Sequence, residues 1–546
     1  MSGLGRSSMI MAAGTAASRA LGFVRNILLV GAIGGTGLAA DSFDIANKIP
    51  NMLFAILAGG VLNAILVPQI VRAYQGRDPE RYVNKLLTVA TLAIGAMTVL
   101  LTAGSGLVIA VMSGPNWTEP QRALAVTFAL WCIPQLFFYG LYTLWGQVLN
   151  ARRQFGPFMW APVLNNIVSI AGFALFIAMF GGYAVDGWVD DPARWNGPRV
   201  AVLAGTATLG VASQALILLW PLVRGGFRFS FQPDPRGVGL GSAGRVAAWT
   251  LAAVLLDQVG VLATTRIASA APILPGTAIP DPAIAGNAAY SQALLIYLLP
   301  HSLVTVSIAT ALFTGLSASV QAGRMDEVRA QLSRGLRTVS VFTMLATAVL
   351  VVLALPLTRL LVPTISDVGA EAVAQVLVTM SLGLVPLGAM VLMKWAFFAF
   401  EDGRTVFWIQ VPMTIVLVGG SLAAMWLAPQ QWWVVGIGAS VAASNAAAVA
   451  LRAGALSRKI GGLDGHRVVR LHVRALLAAV VAGLAGWLVI RLFGDLSGLS
   501  WGRAALVTGV GGSVITAVYV LALTVMRVQE MRGLVATVTR AVRRRR

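Results

Sequence analysis

The sequence has few of the side chains that carry chemistry in most enzymes. Its 546 residues include one cysteine, Cys132, and three histidines. A disulfide framework and a cysteine-based metal site are therefore excluded. No His, Cys, Asp and Glu residues have the spacing of metal ligands, and the GxSxG, HExxH and Walker A motifs are absent. We therefore expect a protein that is not an enzyme and that holds no cofactor.

Charged residues are also scarce. They make up 11% of the chain, against 58% hydrophobic residues, and the mean hydropathy is +0.81. This composition is typical of a polytopic membrane protein. A helix needs ~20 apolar residues to cross a hydrocarbon core of ~30 Å. The pattern therefore predicts an all-α fold with 14 transmembrane helices, at 7–33, 42–71, 83–112, 122–150, 158–180, 199–223, 243–270, 285–318, 338–361, 371–400, 405–427, 433–456, 471–493 and 503–526.

The positive charge is distributed asymmetrically between the two ends of these segments. A net charge of +20 would suit nucleic acid, but with the N-terminus inside, 29 of the 40 Lys and Arg residues fall at cytoplasmic ends and loops. This bias predicts a multi-pass protein with both termini in the cytoplasm and no nucleic-acid partner. The basic run 543–546 is expected to bind anionic lipid headgroups. No cleaved signal pattern is recognisable, so we expect the first segment to remain.

The second half of the chain resembles the first. Gly76-Arg77 aligns with Gly323-Arg324, and the stretch 147–162 resembles 397–412, each ending in a proline. A tandem duplication of six segments predicts two six-helix lobes around a central cavity. The expected parts are an N-lobe, a cytoplasmic linker, a C-lobe, a C-terminal helix pair and a basic tail, at 1–225, 226–242, 243–458, 459–526 and 527–546.

The first two segments carry charges within the membrane, at Arg19, Arg25, Asp41, Asp44 and Lys48. A charge near the bilayer centre costs at least ~2.5–3.5 kcal/mol, so such residues usually face a water-filled cavity. We therefore expect a polar cavity for an anionic substrate. The planar guanidinium group of arginine can donate two parallel hydrogen bonds to a phosphate group. The alternatives are that the arginines snorkel or pair with the two acids, and that the acids cap a helix or form a gate.

Short motifs in the same hairpin resemble a known family. SRALGFVR at 18–25, ADSF at 40–43, KIPN at 48–51 and VP at 67–68 are similar to the MurJ (MviN) family of lipid II flippases. This family belongs to the MOP exporter superfamily, so the resemblance implies a MATE-like fold of two six-helix lobes. It also implies that segments 13 and 14 form a groove for a polyprenyl tail.

The resemblance further implies a set of substrate-binding residues. Arginines in the family engage the diphosphate and the headgroup of the substrate, and other family positions lie nearby. The matching residues in this sequence are Arg19, Arg25, Asp41, Lys48 and Asn51.

The chain also departs from the family pattern. It has Phe54 and Ala55, and an apolar run at 294–296, where family members often carry arginines. We expect Arg266 and Lys394 to supply positive charge in the second lobe instead. This expectation comes from the present sequence and not from the family.

Coupling to an ion is a separate expectation. Some family members are thought to bind sodium between helices 7, 11 and 12. Oxygen ligands for a hard cation occur in the corresponding segments, and the expected sodium or proton site consists of Asp257, Gln410, Thr414 and Asn445. The alternative is a structural hydrogen-bond network. The membrane potential is expected to contribute, at ~2.3 kcal/mol per charge per 100 mV.

The sequence therefore predicts a flippase that moves lipid II from the inner to the outer leaflet of a bacterial plasma membrane by alternating access. Lipid II, membrane lipids and proteins of cell-wall synthesis are the expected partners. Two alternatives remain, which are another MOP exporter of polyprenyl-linked glycans and a non-transporting membrane scaffold for envelope synthesis.

Overall fold

The structure is a computed structural model that describes residues 3–57, 79–152, 154–184, 188–234, 244–274, 277 and 280–530. The described part is helical and contains no β-strand. Its 20 α-helices are α1 (Gly3–Ile33), α2 (Leu38–Ile56), α3 (Pro79–Ala103), α4 (Ser105–Met112), α5 (Glu119–Cys132), α6 (Gln135–Ala151), α7 (Phe155–Phe180), α8 (Gly197–Leu216), α9 (Leu219–Arg224), α10 (Gly244–Ala270), α11 (Asn287–Pro300), α12 (Val306–Gln321), α13 (Met325–Val352), α14 (Ala354–Leu361), α15 (Asp367–Ser381), α16 (Leu384–Ala399), α17 (Gly403–Leu427), α18 (Trp433–Ile460), α19 (Gly465–Arg491) and α20 (Trp501–Val525).

Side-chain caps mark where several of these helices begin. Thr118 accepts a hydrogen bond from the backbone N–H of Gln121, and Ser366 and Ser500 cap α15 and α20 in the same way. These caps satisfy N–H groups that have no partner within the helix. These polar turn residues therefore fix the N-termini of α5, α15 and α20.

Membrane-spanning helices account for most of the described chain, which confirms an all-α polytopic membrane protein. Twelve helical stretches are long and apolar enough to cross a membrane, or 13 if the bent pair α15–α16 is one span. The expected second segment, 42–71, lies partly outside the described residues, as do the repeat match at Gly76-Arg77 and most of the basic tail. The count of 14 is therefore approximate.

Two compact units divide the chain. The first contains 1–282 and 286–288, and the second contains 283–285 and 289–546. Helix α10 belongs to the first unit because it packs against α2 and α4. The division thus falls one helix later than the expected linker 226–242, and the lobe boundaries drawn from the sequence stay a prediction.

Matching helix breaks occur in the two units. The span of α3 and α4 breaks at Gly104, and that of α13 and α14 breaks at Leu353. Likewise Ile133 is the C-cap residue of α5, and Leu382 is the C-cap residue of α15. Both breaks recur 249 positions later in the second unit. This spacing supports the tandem duplication expected from the sequence.

The last two helices belong to the second unit. Helices α19 and α20 pack against each other and against α13. The hydroxyl of Tyr519 donates to the carbonyl of Val341 at 2.8 Å, and Arg337 forms an ion pair with Glu530. One face of α19 remains exposed, at residues that include Val473, Leu477 and Leu484.

Candidate functional site

Helix α2 presents charged residues along one face. Asp41, Asp44 and Lys48 are three and four positions apart, a spacing that places side chains next to one another on a helix. The amine of Lys48 lies 3.0 Å from Oδ2 of Asp44. The apolar residues between them are buried, among them Phe43, so the chain folds here as a helix with a single charged stripe.

This charged stripe binds the start of α11. Lys48 donates to Oδ1 of Asn287 at 2.8 Å, and Nδ2 of Asn287 donates to Oδ2 of Asp44 at 2.6 Å. The backbone N–H of Ala288 donates to Oδ1 of Asp41 at 2.7 Å. Asn287 is 0% exposed and Asp41 is 1% exposed. We refer to these contacts of Asp41, Asp44, Lys48, Asn287 and Ala288 as the α2–α11 network.

The network depends on close approach of the two backbones. A Cβ added at Gly286 would overlap the carboxylate of Asp41, so only glycine fits before Asn287. A carboxylate at a helix N-terminus accepts an otherwise unsatisfied N–H and interacts favourably with the helix dipole. Asp41 therefore caps a helix that is distant in sequence, and capping is one of the roles expected for it, beside a gate and a substrate contact.

Asn51 lies one turn beyond Lys48 and is exposed. Its Nδ2 donates to the carbonyl of Asn47 on the same helix at 2.9 Å. The side chain of Asn47 accepts in turn from Nε2 of Gln135, which is buried on α6, at 3.1 Å. Asn51 is thus the exposed end of a chain of hydrogen bonds that runs from Gln135 through Asn47, and it is accessible to solvent or a ligand.

Arg19 and Arg25 lie on α1, which packs against α7 through contacts that include Asn166. Nδ2 of Asn166 donates to the carbonyl of Ser18 at 2.7 Å. Both arginines are half-buried, and within the described residues neither makes an ion pair or a hydrogen bond. Two cations without a countercharge can neutralise an anion that enters from outside the protein.

The other two expected cations lie elsewhere. Arg266 belongs to α10 in the first unit, is exposed, and donates from Nη1 to the carbonyl of Val111 at 2.8 Å. Lys394 lies half-buried on α16 in the second unit, with its amine 5.8 Å from the ring centroid of Phe398. Neither residue takes part in the α2–α11 network. Their expected substrate role therefore stays a prediction.

The expected ion ligands are divided between the two units. Asp257 lies on α10 in the first unit, whereas Gln410 and Thr414 are buried on α17 in the second. Asn445 on α18 donates to the hydroxyl of Tyr297 at 3.2 Å and to the carbonyl of Gly383 at 3.3 Å. The described residues contain no group of three or more His, Cys, Asp and Glu that could hold a metal ion. Ion coupling stays a prediction.

The loop before α8 is partly buried, with Trp188 and Val189 inside and Asp191 and Arg194 exposed. Trp188 is 5% exposed, and its ring centroid lies 5.4 Å from that of Trp195. The carboxylate of Asp190 accepts a hydrogen bond from the backbone N–H of Ala39 at 3.2 Å, at the start of α2. Burial raises the pKa of Asp190, and hydrogen bonds from the Ala39 and Leu38 N–H groups oppose this rise. The loop therefore fixes the N-terminus of the charged helix.

Two important polar residues were missed in the sequence. Asn287 follows a proline- and glycine-rich stretch, and such an asparagine at a helix start was a usable signal. Arg452 was not singled out, and its side chain is 1% exposed on α18. Its Nη1 donates to the carbonyl of Met390 at 2.7 Å, and Nη2 lies 3.7 Å from Sδ of Met413. The apolar residues on both sides of Arg452 were the signal.

Comparison with known proteins gives consistent matches. Residues 30–500 match the family model described as lipid II flippase MurJ. The chain is 26% identical over 409 residues to the probable lipid II flippase MurJ of Rhizobium meliloti (strain 1021), covering 72% of this chain and 70% of its relative. It is 25% identical over 555 residues to the protein of that name from Vibrio cholerae serotype O1, covering 97% of each chain.

Solved structures show the same fold. A structure described as lipid II flippase MurJ in an inward closed conformation aligns with a TM-score of 0.70 at 15% identity, covering 94% of this chain and 100% of that chain. An inward-facing MATE family multidrug transporter of the MOP superfamily aligns with a TM-score of 0.64 at 16% identity, covering 82% and 96%. The MATE-like fold expected from the sequence is therefore confirmed.

Proposed function

The chain belongs to the MurJ family, and from this premise we propose that it is a flippase that carries lipid II from the inner to the outer leaflet of a bacterial plasma membrane. Its termini then lie in the cytoplasm, as the distribution of Lys and Arg predicts. Lipid II combines a charged diphosphate headgroup with a long apolar tail. A flippase must therefore bind the headgroup while the tail stays in the lipid bilayer.

Arg19 and Arg25 support this proposal most strongly. They are cations within a membrane-spanning helix, and in the described part of the chain neither has an ion-pair partner. An uncompensated charge in the membrane is costly and is retained where it meets a ligand or a water-filled path. A guanidinium donates two parallel N–H groups to a phosphate. We therefore assign these two arginines to the diphosphate.

The α2–α11 network has a different role in this proposal. The amine of Lys48 is occupied by Asp44 and Asn287, and the carboxylate of Asp41 by Ala288. These groups therefore hold the start of α11 to α2, and Lys48 turns to substrate only when the network opens. Alternating access by a MurJ-like protein requires such a contact that can be made and broken.

The same proposal assigns the surface for the polyprenyl tail, the ligands of a coupling ion and the neighbouring proteins. The exposed apolar face of α19 is the surface we assign to the polyprenyl tail. The side chains of Gln410, Thr414 and Asn445 are the oxygen ligands we assign to a coupling cation, with the membrane potential as a further driving force. The protein carries out no covalent chemistry on its substrate, and proteins of cell-wall synthesis are its expected neighbours.

Depletion of the protein in its own cells tests the proposal. Loss of the protein should increase the fraction of lipid II in the cytoplasmic leaflet, measured with an impermeant reagent that modifies only externally exposed headgroups. Re-expression of the wild-type chain should restore the external fraction, whereas the Arg19→Ala and Arg25→Ala double variant should not. If the protein were a scaffold, the wild-type chain and the double variant would restore the external fraction of lipid II equally. An unchanged lipid II distribution, with a different polyprenyl-linked glycan retained inside, would assign the protein to another MOP exporter.

A further inference from the structure

An apolar groove lies on the first unit at the junction of α2, α4 and α10. Its cavity has a volume of about 300 Å³, at the lower end of the range for small-ligand sites. The lining is entirely hydrophobic and includes Met52 and Leu53 from α2, Val108 and Val111 from α4, and Leu262 from α10. Helix α10, and α3 which leads into α4, are long and apolar enough to cross a membrane, so lipid chains are available to fill the groove.

Arg266 lies at the rim of this groove. It follows Leu262 by four positions on α10, so both side chains are on one face of that helix. Its Nη1 donates to the carbonyl of Val111, which itself lines the groove. The guanidinium is exposed, and one bond to a backbone carbonyl fixes its orientation while the other N–H groups of the fork remain available.

A second cation lies at the same end of α4. Nη2 of Arg122 donates to the carbonyl of Pro115 at 3.4 Å, four positions beyond Val111. Across the described ranges neither Arg122 nor Arg266 forms an ion pair, and the acid closest in sequence to Arg122 is Glu119. The charge bias of the sequence assigns this end of the helices to the outer leaflet.

We propose that this groove binds an anionic glycerophospholipid of the outer leaflet, with one acyl chain between α2, α4 and α10 and the phosphate on Arg266 and Arg122. The arrangement matches both parts of such a lipid, because the apolar lining gains dispersion contacts with a chain and the two guanidinium groups complement a phosphate. The site is separate from Arg19 and Arg25, and the proposal does not depend on the transported substrate.

Lipid retention by the purified full-length chain tests the headgroup part. The protein is incubated with equal amounts of phosphatidylglycerol and phosphatidylcholine of identical acyl chains, and bound lipid is counted by native mass spectrometry. Arg266→Gln should reduce the preference for phosphatidylglycerol about fivefold, the effect of one basic residue near a membrane surface. Arg503→Gln is the matched control, because Arg503 is also exposed and also donates to a backbone carbonyl, that of Phe493.

Photocrosslinking in nanodiscs tests the acyl-chain part. Phosphatidylglycerol with a photoactivatable acyl chain should label peptides that contain Val108 or Leu262, and Val108→Trp, which fills the groove, should remove this label while the folded fraction stays constant. An equal loss of preference in the Arg503→Gln control would overturn the proposal, as would labelling confined to other helices. Displacement of the label by polyprenyl phosphate, but not by unlabelled phosphatidylglycerol, would instead assign the groove to the transported lipid.

Discussion

Asp41 accepts a hydrogen bond from the backbone N–H of Ala288 at 2.7 Å, although 247 residues separate them in sequence. The carboxylate is buried and the N–H has no partner within its own helix, so each group satisfies the other. Through this contact an acid of the first hairpin determines where α11 begins. Asp41 therefore has a structural role in holding the start of α11.

Removal of the Asp41 carboxylate should weaken the fold locally. Asp41→Ala leaves the N–H of Ala288 without an acceptor, and we expect a loss of about 1–2 kcal/mol in the free energy of unfolding. Asp41→Asn keeps an acceptor oxygen and should lose less. The measurement is equilibrium unfolding in mixed micelles, with Asp191→Ala on the partly exposed outer loop as the control. Equal losses for Asp41→Ala and Asp41→Asn would show that charge, and not capping, matters here.

Lys48 and Asn287 should be energetically coupled. Their side chains meet at 2.8 Å within the same network, and directly contacting residues show coupling energies of about 0.5–3 kcal/mol in double-mutant cycles. The cycle uses Lys48→Ala, Asn287→Ala and the double variant, with unfolding free energy as the readout. Lys48→Ala combined with Asp234→Ala, a residue that pairs with Lys85 instead, should be additive. Additivity in the first cycle would contradict the network.

Acidification should stabilise the wild type through Asp190. Burial raises the pKa of this carboxyl above its ordinary value of 3.8, so the folded state binds a proton more readily than the unfolded state. Stability from this group is complete below the ordinary value and is lost as pH rises through the raised one. Asp190→Asn removes the titration, so the wild type should gain stability relative to this variant as pH falls.

Thermal unfolding midpoints measured across this pH range test the effect of Asp190. The control is Asp191→Asn, which changes the neighbouring and more exposed carboxylate. A stability difference between the wild type and Asp190→Asn that does not vary with pH would refute the assignment.

Arg452 should be required for the stability of the second unit. Among the residues that the structure describes, it is the largest fully buried side chain, and it donates to the carbonyl of Met390. Arg452→Ala leaves a cavity and an unsatisfied carbonyl, and we expect a loss of about 3 kcal/mol. Arg452→Lys should recover only part of it, since an ammonium lacks the planar fork. Arg458→Ala, on an exposed face of the same helix, should change stability by less than about 0.5 kcal/mol.

Much of the fold could be predicted because membrane-spanning helices have a simple sequence signal. Among the described residues, apolar length alone located 12 of the expected spans, or 13 if the bent pair α15–α16 is one span. The repeated turns indicated the duplication that the helix breaks support. The positions of Arg19, Arg25 and Lys48 in the hairpin were equally visible, since charge is rare in such segments. Each of these features is local in sequence.

The partners of these residues could not be predicted, because they are distant in the chain. Nothing near Asp41 indicates that Ala288 will meet it, and nothing near Asp190 indicates the start of α2. The burial of Trp188 was also missed, since a polar loop composition concealed its packing on aromatic residues. The burial of Arg452 was missed because a charge near a helix end is usually exposed, and the residues that cover it are distant in sequence.

Transport in reconstituted vesicles tests the central claim most directly. Vesicles containing the purified full-length chain and labelled lipid II are assayed for headgroup accessibility to an impermeant quencher over time. The wild type and an Arg224→Ala control, which changes an arginine stacked on Trp220 at the end of α9, should equilibrate lipid II between leaflets. Arg19→Ala combined with Arg25→Ala should slow this exchange at least about tenfold while the folded fraction stays unchanged. Wild-type rates in the double variant would contradict the account.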